Sequence, residues 1–399
     1  MKNFFFVFSL FLSELFMTFY AIVGAEYEGG ETTPFFTLLL FFVGFVTLFF
    51  LIKDSASFYK SSFFYFSLLG IPIILFAINL IEGVGMYGRN VFSFFKITIG
   101  YVIPMIITGI YVSKEGLLKY SRNIHLVMLL ITIAILPSIR NAIGGFGVGI
   151  GGANYQTLSY YSALAFCLNL CFILYKRDLA VFKIFDNDVF HYISYFLLLI
   201  QLAGCLISGG RGGFVYLAIC SIYMLFKTGK LSKLFSVIAF SLVLFIAIYS
   251  LGSDSKVIET INIQMERTFS YVNSSGIDMS ETSNRDIIYQ DAQKYIEDHL
   301  LIGGGLFKSR VDFGGYPHNF FLEILMQGGW VYFSIWIILF VMIFKRIHFL
   351  ITKKRDFLLL PISMYPGIML LFTGTYLWTP LFWFVIVYSI YRCELLCKK

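Results

Sequence analysis

The chain has 399 residues, 58% of them hydrophobic and only 13% charged, with 47 Phe and 26 Tyr. Soluble domains carry roughly 45–50% apolar and about 25% charged residues, so a water-soluble globular class is excluded. The net charge of +7 is scattered over short segments between apolar runs, with no basic domain to carry it, which argues against nucleic acid as a partner and for membrane topology.

Apolar runs of about 20 residues, each long enough to cross ~30 Å of hydrocarbon, recur along the chain. The first, 4–23, is too long for the apolar core of a signal peptide, and no small-residue cleavage site follows it, so it reads as a retained span. Further spans are expected at 35–52, 63–81, 97–113, 124–139, 157–175, 190–208, 213–226, 234–251, 319–344, 357–374 and 377–391, twelve in all. The fold class is therefore an all-α integral membrane protein of about 12 transmembrane helices. Residues 1–251 hold the first nine spans, 252–318 one large outer loop, and 319–399 the last three spans and the tail. Alternate short loops divide the Lys and Arg residues unequally. One set holds 20, beginning with Lys2 and ending with Lys399; the short loops of the other hold Arg89, Lys96, Arg140 and Arg211. The bias puts both termini in the cytoplasm and the 252–318 loop outside. No repeat of 20–50 residues and no likeness between the two halves is evident, which weighs against a secondary transporter.

Four of the six cysteines (Cys167, Cys171, Cys205 and Cys220) fall in spans, and Cys393 and Cys397 in the tail. None lies in the large loop, so no disulfide framework is expected there. Cys393 and Cys397 have no His or second Cys pair to complete a metal site, and Asp278, Glu281 and Asp286 lack the clustering of a hard-oxygen site. No metal and no cofactor is expected.

Candidate functional residues all lie on the outer face. Arg140 and Asn154 bracket six glycines between Gly144 and Gly152, a run that either lets backbone amides approach an anion or is a flexible surface loop. Ser208-Gly209-Gly210-Arg211-Gly212-Gly213 joins two spans almost without a loop. Arg211 either snorkels to water or, flanked by glycines at a helix start, meets an anion with its guanidinium. Within the large loop, Ser283 and Asp286 approximate a capping box, and Ile287, Ile288, Ala292, Tyr295 and Ile296 form an apolar stripe at helical spacing. Arg285 sits in the first turn of that helix, against the dipole. The loop ends in Gly303-Gly304-Gly305, then Gly314-Gly315-Tyr316-Pro317-His318-Asn319. His318 at the start of a helix suits a general base working near neutral pH; the alternative is a polar group satisfied at the interface. Glu323, inside the following span, is expected to be buried and partnered.

Pro317-His318-Asn319-Phe320-Phe321-Leu322-Glu323, followed by Gln327-Gly328-Gly329-Trp330-Val331-Tyr332, resembles the signature of the bacterial O-antigen polymerase (Wzy-type)/O-antigen ligase superfamily. Ser208 to Gly213 resembles that family's S-G-x-R-G segment. Asn284-Arg285 with Leu301 to Gly305 resembles its R…W…P-hydrophobic-G-x-G loop, with Tyr289 near the common Trp and Leu300 in place of the usual Pro. The resemblance covers residues 200–345 well and the remainder by span pattern.

The resemblance implies a fold like the membrane-embedded GT-C-like glycosyltransferases, in the bacterial inner membrane with its active site facing the periplasm. It implies a metal-independent, inverting transfer of a glycan from undecaprenyl diphosphate. His318, Arg211 and Arg285 would be catalytic; Arg140, Asn154, Asn319, Glu323 and Tyr289 would bind substrate. The implied partners are the lipid-linked oligosaccharides, membrane lipid and a chain-length regulator. Three functions are weighed: repeat-unit polymerase; ligase, with lipid A–core as acceptor; and a polyprenyl-linked glycan transporter or flippase. Residues 252–280 have no assigned role beyond covering the site or selecting the acceptor.

Overall fold

The computed structural model describes residues 2–24, 34–53, 94–143, 149–176, 178–179, 188–229, 262–263, 272–273, 276–277, 285–306 and 317–397. The expected spans at 63–81 and 234–251, and the expected cap at Ser283, lie outside the described residues. Among the described residues the regular structure is helical, apart from one antiparallel pair of two-residue strands, β1 (Val272–Asn273) and β2 (Gly276–Ile277), with Val272 opposite Ile277. Among the described residues, five helices are long and apolar enough to cross a membrane, or six when the bent pair at the N-terminus counts as one. This is the pattern of a multi-pass membrane protein.

The chain forms two compact units. One comprises Met1–Gly30, Leu117–Asp278 and Asp356–Met369; the other comprises Glu31–Gly116, Met279–Arg355 and Leu370–Lys399.

In the first unit the expected span 4–23 is not one straight helix. It is α1 (Lys2–Leu10) and α2 (Leu12–Val23), which bend by 84° at Phe11. A 3-10 turn, Leu117–Tyr120, leads into α5 (Ser121–Ile143), which is followed by α6 (Tyr155–Leu174), α7 (Asp188–Ile207) and α8 (Arg211–Thr228). Helix α6 is the hub and packs on α5, α7 and α8. Seventeen of its 20 residues are buried, and its apolar residues run all the way round, as a helix enclosed by others requires. Three of these helices share a buried polar chain. The Asn169 amide donates to the Ser194 carbonyl (2.9 Å) and to Gln201 Oε1 (3.1 Å), and Gln201 Nε2 donates to Thr132 Oγ1 (2.6 Å). Glu14, buried in the first turn of α2, lies beside Tyr365 of α11 (Leu359–Phe372). None of these residues was singled out in the sequence, although each is a polar residue inside an apolar run, the signal that marks interhelical contacts in membranes.

In the second unit α3 (Pro34–Lys53) lies against a π-helical stretch, Ile97–Val102, that continues as α4 (Ile103–Glu115). Helix α4 packs on α12 (Pro380–Cys397) with Gly109 against Val387, a small residue letting two backbones approach. Arg392 closes the end of α4 by donating to the Ser113 and Lys114 carbonyls at 2.8 and 3.3 Å, groups that a helix end leaves without intrahelical donors. The remaining elements, α9 (Arg285–Asp298) and α10 (Phe320–Lys353), carry the second half of the signature. All six cysteines are free thiols, five of them buried.

Candidate functional site

The helix α9 begins at Arg285, the residue that the sequence places in its first turn. Its apolar stripe does not lie on solvent: Ala292 and Tyr295 form a small core with Met326 of α10, and Ile296 and Leu322 close it. Ile287, the first residue of the stripe, stays exposed, and Tyr289 is half-buried.

The expected span 319–344 is two helical arms. Gly329, at φ 60° and ψ −161°, breaks α10 after nine residues. The arms fold back on one another: the Phe320 ring meets Trp336 (5.6 Å) and Phe340 (5.2 Å), and Phe321 meets Phe333 (6.2 Å). In a straight helix Phe320 and Phe340 would be about 30 Å apart. The short lead arm, Phe320–Gly328, is therefore the first half of a helical hairpin whose tip is Gly329, and only the long arm beyond it has spanning length.

The break leaves backbone groups on both sides of Gly329 without helical partners, and the glycine-rich segment after α9 supplies them. Gly304 N–H donates to the Met326 carbonyl and Gly305 N–H to that of Gln327, both at 2.9 Å. In return Trp330 N–H donates to the Leu300 carbonyl (3.0 Å) and Val331 N–H to that of Leu301 (3.2 Å). Four hydrogen bonds thus replace those the helix lost, and they clamp the segment after α9 onto the hairpin tip. The glycines follow from this fit. A Cβ on Gly329 would stand 2.4 Å from the Leu301 carbonyl group, and one on Gly303 2.4 Å from Gly328 N. Residues 301–305 and Gly329, remote in sequence, are two halves of one joint.

His318 precedes the lead arm. Its backbone is left-handed (φ 52°), a conformation costing a non-glycine residue on the order of 1–3 kcal/mol and found preferentially at functional positions. Its side chain is half-buried. Asn319 is the N-cap: its Oδ1 accepts from Phe321 N (3.0 Å) and Leu322 N (3.3 Å). One turn further, Glu323 is buried, and its Oε1 accepts from the Thr375 hydroxyl and from Gln327 Nε2 (3.2 Å). Gln327 in turn accepts from the Tyr376 hydroxyl (2.6 Å), which lies 3.1 Å from that of Tyr332. Burial, with Tyr332 and Glu323 close by, pushes the Tyr376 phenol well above its ordinary range, so it remains a hydroxyl donor. The acidic and aromatic positions of the signature thus belong to one buried relay that braces the lead arm. Gln327, Thr375 and Tyr376 were not among the expected site residues. Gln327 stands in the quoted motif, whereas no sequence spacing points to Thr375 or Tyr376.

The other expected residues belong to the first unit. Arg211 is the first residue of α8 and half-buried, with Gly210 as its N-cap. Two of its flanking glycines have a packing reason. A Cβ on Gly210 or Gly213 would stand 2.4 or 2.2 Å from Ser159 of α6, whose hydroxyl donates to the Gly210 carbonyl at 2.6 Å. Arg140 is exposed in the last turn of α5. The glycine run beyond it, where described, forms a turn: Ile150 and Ala153 pair through two hydrogen bonds, and Gly151 (φ 57°) fits against the Met17 carbonyl of α2. Asn154 is exposed and caps α6, its Oδ1 accepting from Thr157 N and Oγ1, both at 3.1 Å.

Helices of this length and apolarity define a multi-pass membrane protein of the all-α class. A family model described as O-antigen ligase matches residues 196–337, which takes in α8, α9, the clamp and the hairpin. That match supports membership of the O-antigen polymerase/ligase superfamily, whose members are membrane glycosyltransferase-like enzymes. No curated protein and no solved structure matches the chain.

Proposed function

We propose that this chain is a repeat-unit polymerase, transferring a growing glycan from undecaprenyl diphosphate onto a lipid-linked repeat unit at the outer leaflet of the bacterial inner membrane. The observation that carries the reading is His318, set in a strained left-handed backbone directly before the capped lead arm and inside the matched region. In this mechanism His318 takes the proton of the attacking sugar hydroxyl, and that oxygen displaces the diphosphate at the anomeric carbon with inversion. Arg211 and Arg285 offset the charge developing on the diphosphate. Asn319, Glu323, Tyr289, Arg140 and Asn154 contact the sugars and carrier, the first two in addition to holding the lead arm. The clamp supports this assignment because it ties the helix of Arg285 to the hairpin of His318. Twelve spans, cytoplasmic termini and an outer loop from 252 to 318 complete the proposed topology, and a chain-length regulator is its proposed partner.

The test is reconstitution of the purified chain with lipid-linked repeat units alone. Products of several repeat lengths are expected, and His318→Ala, present in the membrane at the normal level, should make none. Dependence on added lipid A–core would replace polymerase by ligase. Long products from the His318 variant would remove the general base.

A further inference from the structure

The clamp segment presents its side chains outward. Leu301 and Ile302 are 66% and 61% exposed, and they lie beside Trp330 and Val331, whose amides donate to the Leu300 and Leu301 carbonyls. These four residues continue the exposed apolar face of the long arm, which runs on through Ile338.

The depth of this patch follows from the other end of the unit. Lys114, Arg346 and Arg392 stand at one level: Arg392 donates to the Lys114 carbonyl, and the neighbouring Cys393 thiol donates to the Arg346 carbonyl. Such a belt of cations marks one edge of the hydrocarbon. From Arg346 back to Trp330 the long arm rises by about 24 Å, whereas the hydrocarbon is ~30 Å thick, and any tilt of the arm lowers the tip further. The hairpin tip therefore ends inside the opposite leaflet. The backbone of the clamp is also suited to that setting. Its carbonyls at 300 and 301 and its amides at 303, 304 and 305 all have protein partners, as irregular backbone needs where water is absent. The preceding helix α9 turns Lys294 and Glu297 outward, as a helix at headgroup level does.

We propose that residues 300–302 form a finger that inserts into the leaflet opposite the cationic belt, with Leu301 and Ile302 in contact with the acyl chains of the bilayer. The outer segment is in this way anchored in the membrane at two levels, α9 at the headgroups and the finger below them.

The proposal is tested on the full chain in phospholipid vesicles. Cys397, the one exposed thiol, is replaced by Ser, and a nitroxide is placed in turn at Leu301→Cys, Ile302→Cys, Ile338→Cys and Lys294→Cys. Collision with oxygen relative to a water-soluble nickel chelate should be several-fold higher at 301 and 302 than at 294, and highest at 338, which lies nearer the middle of the bilayer. A ratio at 301 and 302 matching that at 294 would overturn the insertion. A second measurement leaves the finger intact. Phospholipids brominated on the acyl chain should quench native Trp fluorescence more strongly than they quench the Trp330→Phe variant. Equal quenching refutes the proposal. Quenching that disappears when undecaprenyl phosphate is added also refutes it, by making the finger a contact for the carrier and not for bulk lipid.

Discussion

Two glycines separate the steric demand of the clamp from a general tolerance of small side chains. Gly329 has positive φ, and its added Cβ would strike backbone that is itself hydrogen-bonded; Gly367 of α11 has nothing within 4 Å of that position. Gly329→Ala should therefore cost at least ~3 kcal/mol, from left-handed strain and the clamp bonds that must break as Leu301 moves aside. Gly367→Ala should change stability by at most about 1 kcal/mol, in the stabilising direction that helix propensity predicts. Denaturant titration of the two variants in detergent checks the pair, and equal effects would contradict the clamp. The glycine in the motif was legible in the sequence as a letter, but its partner was not. Nothing in the spacing of Gly303 and Gly329 says that the two meet, because the joint depends on a reversed helix that hydropathy reads as one span. His318 was legible as the residue before a helix, yet its left-handed backbone belongs to the tertiary fold.

At the level of whole elements, hydropathy located the described helices well, since apolar length is what a bilayer selects, and it missed both breaks. The 84° bend at Phe11 carries no proline or glycine, so no local signal announces it. The polar chain through α5, α6 and α7 was half legible: Asn169 and Gln201 stand out as polar residues inside apolar runs, but their pairing depends on facing each other. Their hydrogen bond makes a prediction. In a double-mutant cycle of Asn169→Ala and Gln201→Ala, the coupling should be about 0.6 kcal/mol and no more than ~1.7 kcal/mol, the span measured for such bonds between membrane helices. Unfolding of the four proteins in mixed detergent micelles gives the number. A coupling of zero would mean that Gln201 is held by Thr132 and Met128 of α5 without help from Asn169.

For the molecule as a whole, the prediction concerns which side of the membrane each segment faces. Basic residues set orientation where loops are short, and three of those counted, Lys114, Arg346 and Arg392, form a cationic belt that gives one unit a marked edge. The long arm of α10 leaves this edge at Arg346 and ends at the clamp within the opposite leaflet, so the 285–306 segment and the C-terminal tail after Arg392 are expected to face opposite sides. The bias of Lys and Arg predicts that the tail is the cytoplasmic one. Alkaline phosphatase fused after Lys399 should then be inactive and a fluorescent protein there bright, whereas phosphatase inserted after Ser280 should be active. Activity at both positions would break the argument at its central step, since one crossing of the long arm cannot leave both ends outside. The reverse pattern would keep the crossing and overturn only the orientation, placing His318 and its proposed donor on the cytoplasmic side.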